Sequence, residues 1–245
     1  MSTSVSPSPA QRPAEPHVLD NAVWAALTGP HARIAERVGR AARYRPDMCP
    51  FSALADPADP AAWDDLTALA GPDSVTVVTG ARTVPDGWEI VEKGQGVQLV
   101  DTGLRAEPAP EAVRLGLDDV PEILDLIALT KPGPFLPRTV ELGTYLGFRR
   151  HGRLIAMAGE RVHPPGWTEI SAVCTHPAHR GQGLATRLVR AVAAGIRDRG
   201  ETPFLHTHAS NTTAIRLYES IGFTLRRHTS FLLVRTPGRH PAPTP

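Results

Sequence analysis

Two clusters of residues have the types and spacing to do chemistry. The first is the run Val173-Cys174-Thr175-His176-Pro177-Ala178-His179-Arg180-Gly181-Gln182-Gly183-Leu184-Ala185. A β-prone apolar stretch stops at a proline, a glycine-rich turn follows, and an amphipathic helical pattern begins. Backbone N–H groups at a helix start have no intrahelical partner, and the helix dipole favours negative charge there. Glycines let that backbone come close to a ligand. The chemistry this suits is the holding of a phosphate. The second cluster is the helical stretch 211–221, which carries Asn211 and Tyr218. Seven residues of helix make nearly two turns, so the two side chains share a face about 10 Å apart along the axis. That separation suits contact at two points along an extended ligand.

Two nucleotide-binding readings fail on context. A Walker phosphate loop needs Gly-Lys-Ser/Thr, and neither Lys93 nor Lys131 stands in one. A dinucleotide fold places its glycine turn in the first strand–helix unit, whereas this turn follows three successive strands. A second glycine pair, Gly94-Gln95-Gly96, is followed by no helical pattern and is expected to be a strand-to-strand turn.

In this setting Arg180-x-x-Gly183-x-Ala185 resembles the acyl-CoA-binding motif of the GCN5-related N-acetyltransferases (GNAT). The segment 169–180 is similar to the FR47-like, glycine N-acyltransferase-like branch of that family. The resemblance covers roughly residues 114–236, about half of the chain. It implies an α/β (α+β) fold with a mixed, mostly antiparallel central sheet flanked by helices. It also implies acetyl-CoA as co-substrate and an amine as acceptor, with direct transfer and no acyl-enzyme. Carried over residue by residue, Arg180, Gly181, Gln182, Gly183, Leu184, Ala185 and Thr186 hold the pyrophosphate through backbone N–H groups. Val173, Cys174 and Thr175 pair with the pantetheine arm, and a backbone N–H near Val173 or Cys174 serves the oxyanion where the strand splays from its neighbour. Asn211 contacts the arm and Tyr218 stands at the thiol sulfur. There a hydroxyl of pKa about 10 can donate a hydrogen bond or a proton to a departing thiolate. Glu169 is the candidate base, on the expectation that burial raises its pKa, and Glu160 is the reserve. An α-amine of pKa near 8 is already about one-tenth neutral at pH 7, so a positioned acceptor suffices.

Cys174, His176 and His179, with His206 and His208 on the next strand, raise the question of zinc. Pro177 and the loop position oppose converging ligands, so no metal is expected. His206 and His208 read as pocket-wall residues.

The elements that must position these groups follow from periodicity and punctuation. Residues 1–16 and 237–245 are rich in Pro, Ser and Ala and are expected to be disordered. A smaller α/β unit, 17–104, has helices at 21–27 (with Asn21 as cap) and 57–70, and strands at 75–78, 88–91 and 97–100. It matches no motif and reads either as a degenerate copy of the GNAT half or as a unit that shapes the acceptor pocket or an interface. A linker, 105–110, leads to the acyltransferase domain, 111–236. There a strand at 113–115 precedes a helix capped at Asp118 or Asp119, with Pro121 in its first turn. Strands follow at 144–150, 153–162 and 168–175. The helix 183–199 places Leu184, Leu188, Val192 and Ile196 on one face. A strand at 204–208, the helix 211–221 and strands at 223–225 and 231–234 close the chain.

Composition bounds the rest. The chain has 245 residues, 41% hydrophobic and 21% charged, with net charge +1, so strong attraction to nucleic acid or a membrane surface is not expected. The two cysteines and the lack of a signal-like or spanning apolar run point to a reduced, cytoplasmic setting. A homodimer is compatible with these residues. The function expected is N-acetylation of a primary amine on a small molecule such as an amino acid. The alternatives are a protein N-terminal or lysine acetyltransferase and a non-catalytic acyl-CoA sensor. By the resemblance, the Pro-rich segment 131–137 covers the acceptor site, closed for a small substrate and open for a protein.

Overall fold

A computed structural model describes residues 16–238. The segments expected to be disordered lie almost wholly outside the described residues. The strands are β1 (Ala35–Val38), β2 (Ala41–Tyr44), β3 (Phe51–Leu54), β4 (Val75–Thr79), β5 (Glu89–Asp101), β6 (Val113–Leu115), β7 (Tyr145–Arg150), β8 (Arg153–Glu160), β9 (Trp167–Thr175), β10 (Thr202–His208) and β11 (Phe223–Arg235). The helices are α1 (Ala22–Leu27), α2 (Pro60–Ala70), α3 (Val120–Thr130), α4 (Leu184–Asp198) and α5 (Thr212–Ser220). One eleven-stranded sheet runs in the order β1-β2-β3-β4-β11-β5-β10-β9-β8-β7-β6. It is mostly antiparallel; β3–β4 and β9–β10 are the parallel pairs. This is the mixed sheet flanked by helices that the sequence led us to expect. Among the described residues no helix is long and apolar enough to cross a membrane.

The sheet is shared across the linker. β5, from the 17–104 segment, hydrogen-bonds between β10 and β11 of the 111–236 segment. Alternation along the strands puts α1 and α3 on one face, α2, α4 and α5 on the other. On β10, Phe204 packs with α1 while Leu205 packs with α4. On β8, Met157 packs with α3 while Ala156 and Ala158 pack with α4. α4 buries Leu184, Leu188, Val192 and Ile196, the stripe the periodicity picks out, and Gly200 (φ +77°) follows its C-cap. α2 starts at Asp59, whose carboxylate accepts from the Ala61 N–H, with Pro60 at its first position.

Four local expectations are corrected. Gly94-Gln95-Gly96 is not a turn: 88–91 and 97–100 fuse into the thirteen-residue β5. The glycines serve close approach. A Cβ on Gly94 would stand about 2 Å from ring atoms of Phe231, and one on Gly96 would stand 2.8 Å from Thr229 Oγ1. Likewise 223–225 and 231–234 fuse into β11, whose irregularity at Leu225/Arg227 interrupts the apolar pattern. β1, β2 and β3 were not expected; they are four-residue strands with arginines and alanines in place of β-branched runs. Asn21 sits at the N-cap of α1 without a capping bond; its side-chain N–H donates to Leu54 O at 2.7 Å instead.

Candidate active site

The sheet opens where β9 and β10 part. Their parallel ladder runs from Thr202↔Trp167 only to Leu205↔Ile170. Beyond it, His206, Thr207 and His208 pair with β5 alone, and Cys174 and Thr175 pair with β8 alone. The β8–β9 register slips between Met157 and Gly159, and Ala172 there has φ +53°, a left-handed conformation that non-glycine residues rarely adopt. The splay expected next to Val173 and Cys174 is therefore built by a bulge. A cavity of about 1250 Å³ passes through this wedge, more than the roughly 300–1,000 Å³ of an ordinary ligand pocket.

At one end of the cavity stands the glycine turn. Gly181 (φ +75°) and Gly183 (φ +72°) are left-handed, and a Cβ at either would meet no neighbour, so the conformation, not crowding, calls for glycine. Gly183 is the N-cap of α4 and supplies no side-chain bond to the helix N–H groups. Those donors remain for a ligand. Arg180, Gly181, Gly183, Leu184, Ala185 and Thr186 all line the cavity, as do Val173, Cys174, Thr175, Asn211 and Tyr218. Gln182 does not; its Oε1 accepts from Arg150 at 3.1 Å, and Arg150 also reaches His179 Nδ1 at 3.3 Å. Arg150 was not anticipated, since a strand-end arginine carries no motif.

Asn211 caps α5, its Oδ1 accepting from Ala214 N–H at 3.1 Å. Tyr218 is 7% exposed, with its ring edge-on to Phe223. Burial, with a smaller effect from Cys174, pushes its hydroxyl up to about 12. Cys174 is a buried free thiol, pushed up to about 11 by burial, as suits a packed residue and not a nucleophile.

Glu169 lies on the other side of the wedge, 1% exposed. Burial alone would raise its pKa, as expected. The adjacent Arg161 charge and hydrogen bonds from His206 and Arg161 outweigh that, and hold it near 2. The expected rise is thus reversed. Arg161 Nε and Nη2 each donate at 2.9 Å to the two carboxylate oxygens, and His206 Nδ1 lies 2.9 Å from Oε1. Gln98 continues the chain: its Nε2 contacts His206 Nε2 at 3.0 Å and Leu19 O at 3.0 Å, while its Oε1 accepts from Arg226. With Gln98 Oε1 taken by Arg226, its Nε2 is the group that donates toward the His206 ring. Glu160, the reserve candidate, is also buried and engaged, accepting from Arg199 at 3.1 Å and the Thr144 N–H at 3.2 Å. Arg161 and Gln98 were invisible in the sequence because each reads as the polar member of an alternating strand. Among the described residues no group of three or more His, Cys, Asp or Glu could hold a metal ion.

The cavity continues beyond the wedge over the α1 face. It is lined there by Phe51, Thr79, Gly94, Gly96 and Phe231, together with residues 19–23, Pro50 and 131–134. The sequence offered the 17–104 segment as a unit that could shape the acceptor pocket, but assigned no residue of it to a site.

The FR47-like family profile matches residues 145–232. A solved structure described as a GNAT-family acetyltransferase from Novosphingobium aromaticivorans is 39% identical, with a TM-score of 0.82 over 92% of this chain and 100% of that one. The chain belongs to the GCN5-related N-acetyltransferase family. Among curated proteins, a mycothiol acetyltransferase of Thermomonospora curvata is 37% identical over 92 residues, 37% of this chain and 30% of that protein. An N-alpha-acetyltransferase RimI of Mycobacterium tuberculosis is 34% identical over 82 residues, 32% of this chain and 51% of that protein. The match thus spans about a third to a half of those curated relatives. As a GNAT protein this chain carries the glycine turn and wedge in its second half and gives the first half to the far wall of the cavity.

Proposed function

We propose that this chain is an acetyl-CoA-dependent N-acetyltransferase acting on the primary amine of a small molecule. The observation that carries this reading is the continuous cavity. It joins the glycine turn, through the β9–β10 wedge, to a region lined by residues 19–23, Pro50 and 131–134. An acceptor end walled by segments from both halves of the chain suits a small molecule held between them better than a folded protein surface. The residues present also fit acyl-CoA: α4 has uncapped N–H groups behind two left-handed glycines, and Thr175 Oγ1 in the wedge is buried without a partner.

Acetyl-CoA supplies an acyl group activated as a thioester. The α4 N-terminus and Arg180 hold its pyrophosphate by N–H donation and charge. Val173, Cys174 and Thr175 receive the extended arm along the open strand edge, and Asn211 borders it. Tyr218 donates a hydrogen bond to the departing sulfur. Its hydroxyl, near 12, stays protonated at neutral pH. It lies above a thiol's pKa of about 8.5, so hydrogen-bond donation rather than full proton release is its contribution. Glu169, held ionised near 2, is too weak a base for an ammonium; it serves by fixing Arg161 and His206 at the wedge. The amine attacks from its neutral fraction.

The test is release of free CoA with purified protein against amino acids, polyamines, aminoglycosides and a short peptide. Turnover with a small amine is expected. Turnover with the peptide alone would favour protein N-terminal acetylation, the reading that likeness to RimI supports. Tight acetyl-CoA binding without turnover on any amine would favour a sensor.

A further inference from the structure

Six buried side-chain polar atoms lack a hydrogen-bond partner among the described residues: Asn21 Oδ1, Thr79 Oγ1, Tyr145 Oη, His163 Nε2, Thr175 Oγ1 and Arg190 Nε. Three of their residues, Asn21, Thr79 and Thr175, line the one cavity. Thr175 belongs to the wedge. The other two lie on neighbouring elements at the opposite end. Asn21 is tied to Leu54, the last residue of β3, and Thr79 ends β4, the parallel neighbour of β3. Leaving a buried oxygen unpaired costs stability, and native folds tolerate it chiefly where a ligand or function compensates.

The path between the two ends is defined by register. His208 faces Gly96 and Gly96 faces Thr229; Gly94 faces Phe231 and Phe231 faces Thr79. The route from β10 to β4 therefore crosses β5 and β11, three strand spacings or roughly 14 Å. The Phe231 ring fills the space over Gly94 and lies edge-on to His208 at 5.5 Å, and Phe51 lines the far side, so the passage is apolar. Asn21 donates its amide N–H to Leu54, so its remaining oxygen can only accept. A group that satisfies it must donate. Arg82 and Glu92 both line the cavity and neither makes an ion pair among the described residues, so their opposite charges leave no single-sign field there to call for a charged donor.

We propose that this far end, at Asn21 and Thr79, is a tail subsite for the acceptor. It takes an elongated primary amine with an apolar middle and a neutral hydrogen-bond donor, hydroxyl or amide, at its distal end. The inference rests on the reading of the wedge as the place where the amine is acylated.

The test uses matched chains of equal length, ω-amino alcohols against ω-alkyl amines, with the whole protein and acetyl-CoA. Calorimetric binding to the CoA-loaded protein is the primary readout and CoA release the second. The hydroxyl-tailed member is expected to bind at least tenfold tighter, with the preference appearing only once the chain is long enough to cross β5 and β11. Thr79→Val, nearly isosteric, is expected to reduce that preference to within about threefold. It should also raise the thermal midpoint of the free protein, because an unpaired buried hydroxyl is removed. Asn21→Ala should lose the preference too, at the cost of the Leu54 bond. Equal binding of the two series, or a preference that survives Thr79→Val, overturns the subsite. Failure of CoA release with every amine while the binding preference holds overturns the acylation reading and leaves the subsite standing.

Discussion

Tyr218 and Glu169 carry opposite burdens although both are buried acids of the same wedge. Burial pushes the tyrosine hydroxyl up to about 12, with nothing opposing it. The glutamate has the same burial but also Arg161 and His206, and ends near 2. Tyr218→Phe is therefore expected to lower kcat about a hundredfold or more while calorimetry shows acetyl-CoA affinity within a factor of about three. Unchanged kcat would remove the sulfur-facing role. Glu169→Gln has a different signature. It leaves the Arg161 guanidinium without a counter-charge at a site where Arg161 is nearly buried. Urea unfolding should report a loss of about 3–5 kcal/mol. A loss of turnover with the fold at full stability would instead restore Glu169 as the base. At this scale the glycine turn and Tyr218 were legible, because their residue types and spacing are local. Arg161 was not, since its partner lies eight residues away on the next strand.

At the scale of elements, the turn before α4 and the central strand β5 show two uses of glycine. Gly183 is left-handed with open space around its missing Cβ. Gly183→Ala should cost about 1–2 kcal/mol through the backbone alone and weaken acetyl-CoA binding several-fold by tilting the α4 N–H groups. Gly94 is crowded instead, with Phe231 across it. Gly94→Ala should displace that ring and alter acceptor KM more than kcat, readable in steady-state kinetics of the best amine. The two halves of β5 and of β11 were visible as separate apolar runs. Their fusion was not, because nothing local distinguishes a glycine that turns a chain from one that makes room for a ring on the neighbouring strand. α4 was legible in full: its stripe repeats at the helical period, and Gly200 ends it.

At the scale of the molecule, pH stability follows from groups buried behind the sheet. Burial lowers His31 to about 3, aided by neighbouring His163, and lowers His163 to about 4, aided by Arg199. Their rings lie 4.7 Å apart. The unfolded chain binds these protons near 6.5 and the folded one does not, so stability is full above about pH 6.5. It falls by about 1.4 kcal/mol per pH unit per group as pH drops toward 4 for His163 and 3 for His31. Glu169 adds a loss below about 4.5, down to about 2, with the same sign. Urea midpoints should be flat from pH 7.5 to about 6.5 and then fall to pH 4.5 with a slope near two groups, reduced to about one by His163→Gln. A flat profile would mean that the pair charges in the folded state.

The sequence by itself determined the side of this protein proposed for the donor: the glycine turn, the α4 stripe, the Asn211–Tyr218 spacing and the class of sheet. Each depends on residues within a turn or two of one another, where dihedral preference and periodicity act directly. The tertiary structure decided how the side proposed for the acceptor is built, beyond the 131–137 segment that the sequence pointed to. The wedge needs a register slip between β8 and β9, the ionisation of Glu169 needs Arg161 and His206 beside it, and the cavity's far wall needs β5 inserted between β10 and β11. Those are pairings between distant segments, set by which faces bury together, and no local pattern encodes them.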